Sequence, residues 1–157
     1  MTDLLTSGEL QQRIEHLLQP TYARRYRIMM HAIETHLVPL GAELPQTDRR
    51  TAGGYFIWVS LPESLDAELV AKRAREDENV IVAPGSLFEV PGDSESHKFP
   101  HGIRLCFAWV DEDKLTEGIE RLGTVLQGML NSGNDHSLTR GSGDDVSGVE
   151  KTSEQHW

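Results

Sequence analysis

One cysteine, Cys106, stands among the 157 residues. An intrachain disulfide is therefore impossible, and a reducing compartment suits the chain best. Aromatic residues are sparse, at 6% of the sequence. Basic residues are outnumbered, with 15 Lys+Arg against 25 Asp+Glu and a formal charge of −10. Such a surface repels a phosphate backbone, which argues against nucleic acid as a partner. No apolar run approaches the roughly 18 residues that a membrane span needs. Met1-Thr2-Asp3-Leu4-Leu5 lacks the basic and apolar regions of a secretory leader, and the expected setting is cytoplasmic. No internal repeat is present. What remains is an acidic chain long enough for one domain with its own core.

Apolar residues at Leu10, Ile14, Leu17, Leu18, Tyr22, Tyr26, Met29, Met30, Ile33 and Leu37 recur in steps of three and four, or sit side by side. They predict a long helix, capped by Thr6 or Ser7 and ended by Pro39 and Gly41. Pro20 lies inside it and removes one N–H, so the expectation is a kink, or two helices meeting near Gln19. After a polar connector, Gly53-Gly54 opens the aromatic and β-branched run Tyr55 to Leu61, a strand closed by Pro62. Ser64 to Asp77 reads as an amphipathic helix, capped by Ser64 or Asp66, with Leu65, Leu69, Val70 and Ala74 inward. Asn79 to Ala83 predicts a second strand, and Ile103 to Val110 a third. The last helix follows Asp111, with Leu115, Ile119, Leu122, Leu126 and Met129 on its buried face.

The fold class is accordingly α+β and two-layered: a small three-stranded sheet covered by helices and preceded by a long kinked helix. The crossover helix favours parallel pairing of the first two strands. The expected organisation is a helix over residues 1–41, an α/β unit over 42–130 and a disordered acidic tail over 131–157, where apolar residues become rare. Between the second and third strands, the loop from Ser86 to Gly102 exceeds what a structural connection needs, which makes it a candidate functional loop.

Several side chains invite a chemical reading. His31 and His36, or His97 and His101, could suggest a metal, but no partner stands at a ligand spacing, and no metal site is expected. Cys106 lies mid-strand between Leu105 and Phe107, where a thiol acts as a small hydrophobe. Gly53-Gly54 is too sparse for a phosphate loop, yet it would let a ligand approach the backbone closely. Arg104 is the distinctive residue. It follows the long loop in an apolar strand, on the face opposite Leu105, and its guanidinium matches a carboxylate, either that of an acidic neighbour at the strand end or that of a ligand.

Three stretches, taken in order, resemble the C-terminal small domain of class I/II fold-type I aminotransferases: Gly53-Gly54-Tyr55-Phe56-Ile57-Trp58-Val59-Ser60-Leu61-Pro62, Val80-Ile81-Val82-Ala83-Pro84-Gly85-Ser86-Leu87-Phe88 and Ile103-Arg104-Leu105-Cys106-Phe107-Ala108. Ser7-Gly8-Glu9-Leu10 and Pro20-Thr21-Tyr22-Ala23-Arg24-Arg25 look like the long helix joining that family's two domains. The nearest subgroup is the 2-aminoadipate and aromatic aminotransferase-like enzymes. The resemblance spans residues 4–130 and implies pyridoxal phosphate as the family's cofactor. It also implies amino acid and 2-oxo acid substrates, with Arg104 as the residue that holds their α-carboxylate.

The departures from that pattern are specific. Nothing is similar to the serine-rich motif carrying the Schiff-base lysine, and Lys72, Lys98, Lys114 and Lys151 stand elsewhere. The aspartate for the pyridinium nitrogen and the phosphate cup belong to the family's large domain and have no counterpart. Arg13 and Thr51 replace a common histidine and a common proline, which is tolerable. The resemblance thus implies an aminotransferase domain that is truncated and inactive alone, binding substrate through Arg104, Gly53 and Gly54 without catalytic or cofactor-binding residues of its own. The alternative is a non-catalytic module that binds a carboxylate or a partner. A homodimer and a large-domain chain are the partners in view.

Overall fold

The computed structural model of the protein describes residues 7–45, 54–92 and 98–138. Helix α1 (Glu9–Arg13) runs through a π-helical turn (Ile14–Leu18) into α2 (Gln19–His36). Gly8, in the left-handed region at φ 76°, starts α1 in place of Thr6 or Ser7, and Ser7 Oγ accepts from Glu9 N at 3.4 Å. Pro20 falls in the first turn of α2, where a missing N–H is harmless. The carbonyl four residues before it belongs to His16, so the place where a proline ring crowds a regular helix falls within the wider π turn. The expected junction near Gln19 is therefore present, built as a π turn.

The apolar register of this helix is used only in its second half. Met29, Ala32, Ile33 and Leu37 are buried, whereas α1 and the π turn bury nothing and leave Leu10, Leu17 and Leu18 exposed. A 3-10 turn (Val38–Leu40) and Gly41 at φ 90° then reverse the chain. Glu43 returns to bridge Ser60, each N–H donating to the other's carbonyl at 2.8 and 2.9 Å.

Strands β1 (Phe56–Ser60), β2 (Ala83–Pro84) and β3 (Gly102–Cys106) form a sheet in the order β1-β3-β2. Both outer strands are antiparallel to β3, with Trp58 and Ala83 flanking Arg104, and Val59 and Pro84 flanking Ile103. The outer two therefore point the same way, as the crossover through α3 (Ala67–Glu78) requires, but β3 lies between them. This corrects the expected parallel pairing.

Two strands are also shorter than their sequences suggest. Asn79 takes the left-handed C-cap of α3 at φ 53°, and Val80 N donates to the Ala74 carbonyl, so these two finish the helix and the strand begins only at Ala83. β3 stops at Cys106; Phe107 N donates to the Tyr55 carbonyl, and Ala108 to Val110 bend away with Trp109 91% exposed.

One face of the sheet supplies Ile57, Val59, Ile103 and Leu105 to a core completed by α2, α3 and α4 (Glu112–Leu138). Asp66 caps α3, accepting from Leu69 N at 2.9 Å. Leu115, Ile119, Leu122 and Leu126 of α4 are buried as the periodicity predicts. Gly123 permits a close crossing, since a β-carbon there would stand 3.2 Å from the His36 carbonyl oxygen. α4 continues to Leu138, eight residues into the segment that composition assigns to the tail, and the rest of that segment lies outside the described residues. The long helix is fastened across the domain: Arg25 Nε donates to the Phe107 carbonyl at 2.7 Å, its Nη2 to the Val110 carbonyl, and Arg24 pairs with Glu112 at 2.5 Å.

Leu122→Ala removes a fully buried side chain from this core and is expected to destabilise the chain by about 2–5 kcal/mol in urea unfolding, whereas Leu17→Ala on the exposed π turn stays within about 0.5 kcal/mol.

Candidate functional site

Strand alternation gives the second face of the sheet to Phe56, Trp58, Gly102, Arg104 and Cys106. Arg104 is half-buried at its centre, on the face opposite Leu105, as the sequence indicates. Its guanidinium carbon lies 4.0 Å from the ring centroid of Phe56 and 4.2 Å from that of Phe88. The rings reach it from both sides of β3. Phe56 stands on β1, diagonally across from Arg104, and Phe88 ends the 3-10 turn (Gly85–Phe88) that follows β2.

Among the described residues no carboxylate pairs with Arg104. Its Nε is shut off from solvent without a hydrogen-bond partner, the sole such buried side-chain nitrogen or oxygen among them. Leaving a polar group so placed is unfavourable, and π faces offset part of that by attracting the cation electrostatically.

The rings are themselves held. Trp58 meets Phe88 edge-on at 5.8 Å and Phe99 at 5.2 Å. Gly102 makes room for Trp58, because a β-carbon at that position would lie 2.3 Å from the indole. Gly85 does the same for the loop, with a β-carbon there 2.3 Å from the Phe99 carbonyl oxygen. Glu89 Oε1 accepts from Phe99 N at 3.1 Å, while Pro100 and His101 offer carbonyls to Ala67 N at 2.8 Å and Leu61 N at 2.7 Å. The part of the long loop that is described is thus anchored at both ends of the aromatic face.

The remaining candidates sit apart. Gly54 takes φ 89° at the entry to β1 with nothing within 4 Å of its open side, and Gly53 lies outside the described residues. Cys106 is the last residue of β3 and is exposed, not enclosed as a mid-strand thiol would be. His101 Nδ1 is 2.8 Å from the Leu65 carbonyl, a structural bond. His97 lies outside the described residues, among which no group of three His, Cys, Asp or Glu could hold a metal ion. No described helix is long and apolar enough to cross a membrane. A separate groove of about 610 Å³ opens beside Ile81, Cys106, Trp109 and Lys114.

Arg104 is placed as its sequence context suggests, but Phe56, Phe88, Trp58 and Gly102 as its surroundings are not legible from spacing. Alternation puts Phe56 and Trp58 on one face, and only the register with β3 places that face against Arg104.

The architecture of a small antiparallel sheet backed by a long helix is shared with solved aminotransferases. Residues 20–122 match the family described as aminotransferase class I and II. The 2-aminoadipate transaminase of Thermus thermophilus is 35% identical over 130 residues, which cover 82% of this chain and 29% of that protein. The crystal structure of an α-aminoadipate aminotransferase from Thermus thermophilus, complexed with N-(5'-phosphopyridoxyl)-L-leucine, superposes with a TM-score of 0.67 at 32% identity, over 83% of this chain and 30% of that one. The kynurenine aminotransferase of Pyrococcus horikoshii, solved with PMP, gives a TM-score of 0.68 at 32% identity, over 82% and 29%. The chain belongs to the class I and II aminotransferase family and spans under a third of the length of these relatives.

Pyridoxal phosphate is the cofactor at the level of the family. The described residues do not fit it. A lysine that forms a Schiff base needs an amine that gives up its proton readily, usually through burial or a neighbouring cation. Lys72 and Lys98 are exposed. Lys114 donates to Glu117 at 2.8 Å, and that hydrogen bond and the carboxylate's charge push its pKa above the ordinary value, holding the ammonium charged.

Gly102→Ala drives a methyl group into Trp58. We expect a loss of about 1–3 kcal/mol in stability. The indole N–H resonance of Trp58 should move, checked by heteronuclear NMR against the unchanged signal of the exposed Trp109.

Proposed function

We propose that this chain is the substrate-carboxylate-binding domain of a pyridoxal-phosphate-dependent aminotransferase, truncated relative to its relatives and inactive by itself. The observation that carries this reading is Arg104, a guanidinium held between two phenyl rings with no carboxylate paired to it among the described residues. An arginine without an internal counter-ion is available to an external one. Two parallel N–H···O bonds would fix the plane of an α-carboxylate and with it the direction of the adjoining Cα, a positioning role. The amino acid and 2-oxo acid pair common to the family supplies that carboxylate. Gly54, open on one side and left-handed, supports close approach of the ligand to the strand entry, with Gly53 beside it in sequence.

Inactivity follows from the lysines, none of which is set up for Schiff-base chemistry in the described structure. The chemistry would then need a large-domain partner chain, since a homodimer brings only a second set of the same lysines. The lone Cys106 supports a cytoplasmic setting.

A second reading, a partner-binding module without catalysis, is supported by the exposed leucines of α1 and the π turn. Leu10, Leu17 and Leu18 line an element that buries nothing in this chain. Its partner would be a large-domain chain that covers them. Under this reading Leu17→Asp abolishes co-purification with such a chain and leaves carboxylate binding intact.

Pyruvate and phenylpyruvate are expected to bind saturably in an NMR titration, and Arg104→Ala to weaken both by at least about tenfold. Absence of saturable binding by the wild-type chain would overturn the carboxylate reading. Incubation with pyridoxal phosphate and borohydride is expected to leave no adduct confined to one lysine; a stoichiometric adduct at a single lysine would overturn the claim of inactivity.

A further inference from the structure

Most arginines that serve as anion sites are oriented by hydrogen bonds to carboxylates or carbonyls, which occupy part of the guanidinium edge. Arg104 has no ion pair among the described residues. What flanks it is Phe56 at 4.0 Å and Phe88 at 4.2 Å, one from each side of the central strand. Rings, unlike carboxylates, take up none of the N–H donors of a guanidinium that lies over them, and of those donors Nε is closed to solvent.

We infer that Phe56 and Phe88 are positioning residues for the carboxylate site: they hold the guanidinium plane by its faces and direct an incoming carboxylate onto the terminal Nη1 and Nη2 groups instead of the Nε edge. This rests on the carboxylate reading and adds to it the residues that orient the arginine and the geometry of approach.

The clamp has an internal order. Gly102 seats Trp58, Trp58 meets Phe88 edge-on, and Phe88 covers one face of Arg104. The Phe56 side is looser, because that ring is 45% exposed and lies diagonally across from Arg104. Removing either ring leaves the arginine charged and present but free to rotate about its long side chain. An unfixed guanidinium loses orientational freedom when a bidentate partner binds, and that loss weakens binding.

The full chain, labelled with nitrogen-15 in arginine, is titrated with pyruvate, a probe without a ring of its own. Phe56→Leu and Phe88→Leu are each expected to weaken binding about fivefold, the cost of immobilising one long side chain on binding. Phe88→Tyr keeps the ring and stays within about twofold of wild type. The Arg104 Nε–H signal, displaced by the ring currents of both phenyls, should shift toward the random-coil position in each leucine variant. On pyruvate addition to wild type it moves less than the Nη signals do. Phe56→Leu keeps a half-exposed position apolar, so its unfolding midpoint serves as the control for an intact fold. Leucine variants that bind pyruvate as tightly as wild type, or a wild-type Nε–H signal that moves more than the Nη signals, would overturn the clamp and leave the carboxylate reading standing. No saturable pyruvate binding to wild type would overturn both.

Discussion

A cation on the face of a small sheet, partly withdrawn from water and without a counter-ion among its described neighbours, depends on what surrounds it. For Arg104 the surroundings are two phenyl rings, and their quadrupoles attract the charge without consuming its hydrogen-bond donors. An aspartate in place of either ring would hold the side chain more strongly but would occupy the edge that a ligand needs. The rest of the domain arranges this one contact. β3 must be central for rings to arrive from both sides, and the loop after β2 must be pinned for Phe88 to remain in place.

The anchoring of that loop links packing to function. Gly85 and Gly102 are positions where backbone or ring comes too close for a side chain: the first seats Phe99, the second Trp58, and those two rings meet each other edge-on. His101, which might have suggested a metal, is held at the Leu65 carbonyl and contributes its own carbonyl to Leu61. On the opposite face of the sheet, Ile103 and Leu105 are buried against the helices, so β3 cannot slip by one residue without turning Arg104 into the core. Register and charge thus enforce each other.

Family membership is compatible with the inactivity we propose for this chain. The chain aligns with less than a third of each relative, and the described lysines are either exposed or held charged by Glu117. The carboxylate binding proposed for Arg104 needs no lysine nearby. Binding and orientation on the one hand, and cofactor chemistry on the other, are separable tasks, which is why a small domain can retain the first without the second.

Periodicity located the helices, because a 3.6-residue repeat is a local property, but not every inward face: Leu69, expected inward, is 49% exposed, and Leu10, Leu17 and Leu18 are exposed too. Leu115, Ile119, Leu122 and Leu126 are buried where it places them, and the junction before Pro20 lies where a missing N–H requires one. Local pattern failed where a competing cap or bend intervened: Asn79 and Val80 complete α3, and the chain bends after Cys106, so two strands end early. Sequence by itself determined that Arg104 and Leu105 face opposite ways, since alternation along one strand needs no partner. Only the tertiary structure decided that β3 lies between β1 and β2, and that Phe56 and Phe88 therefore close on Arg104 from either side. Strand order and register are set by contacts between residues far apart in the chain, and no local pattern encodes them.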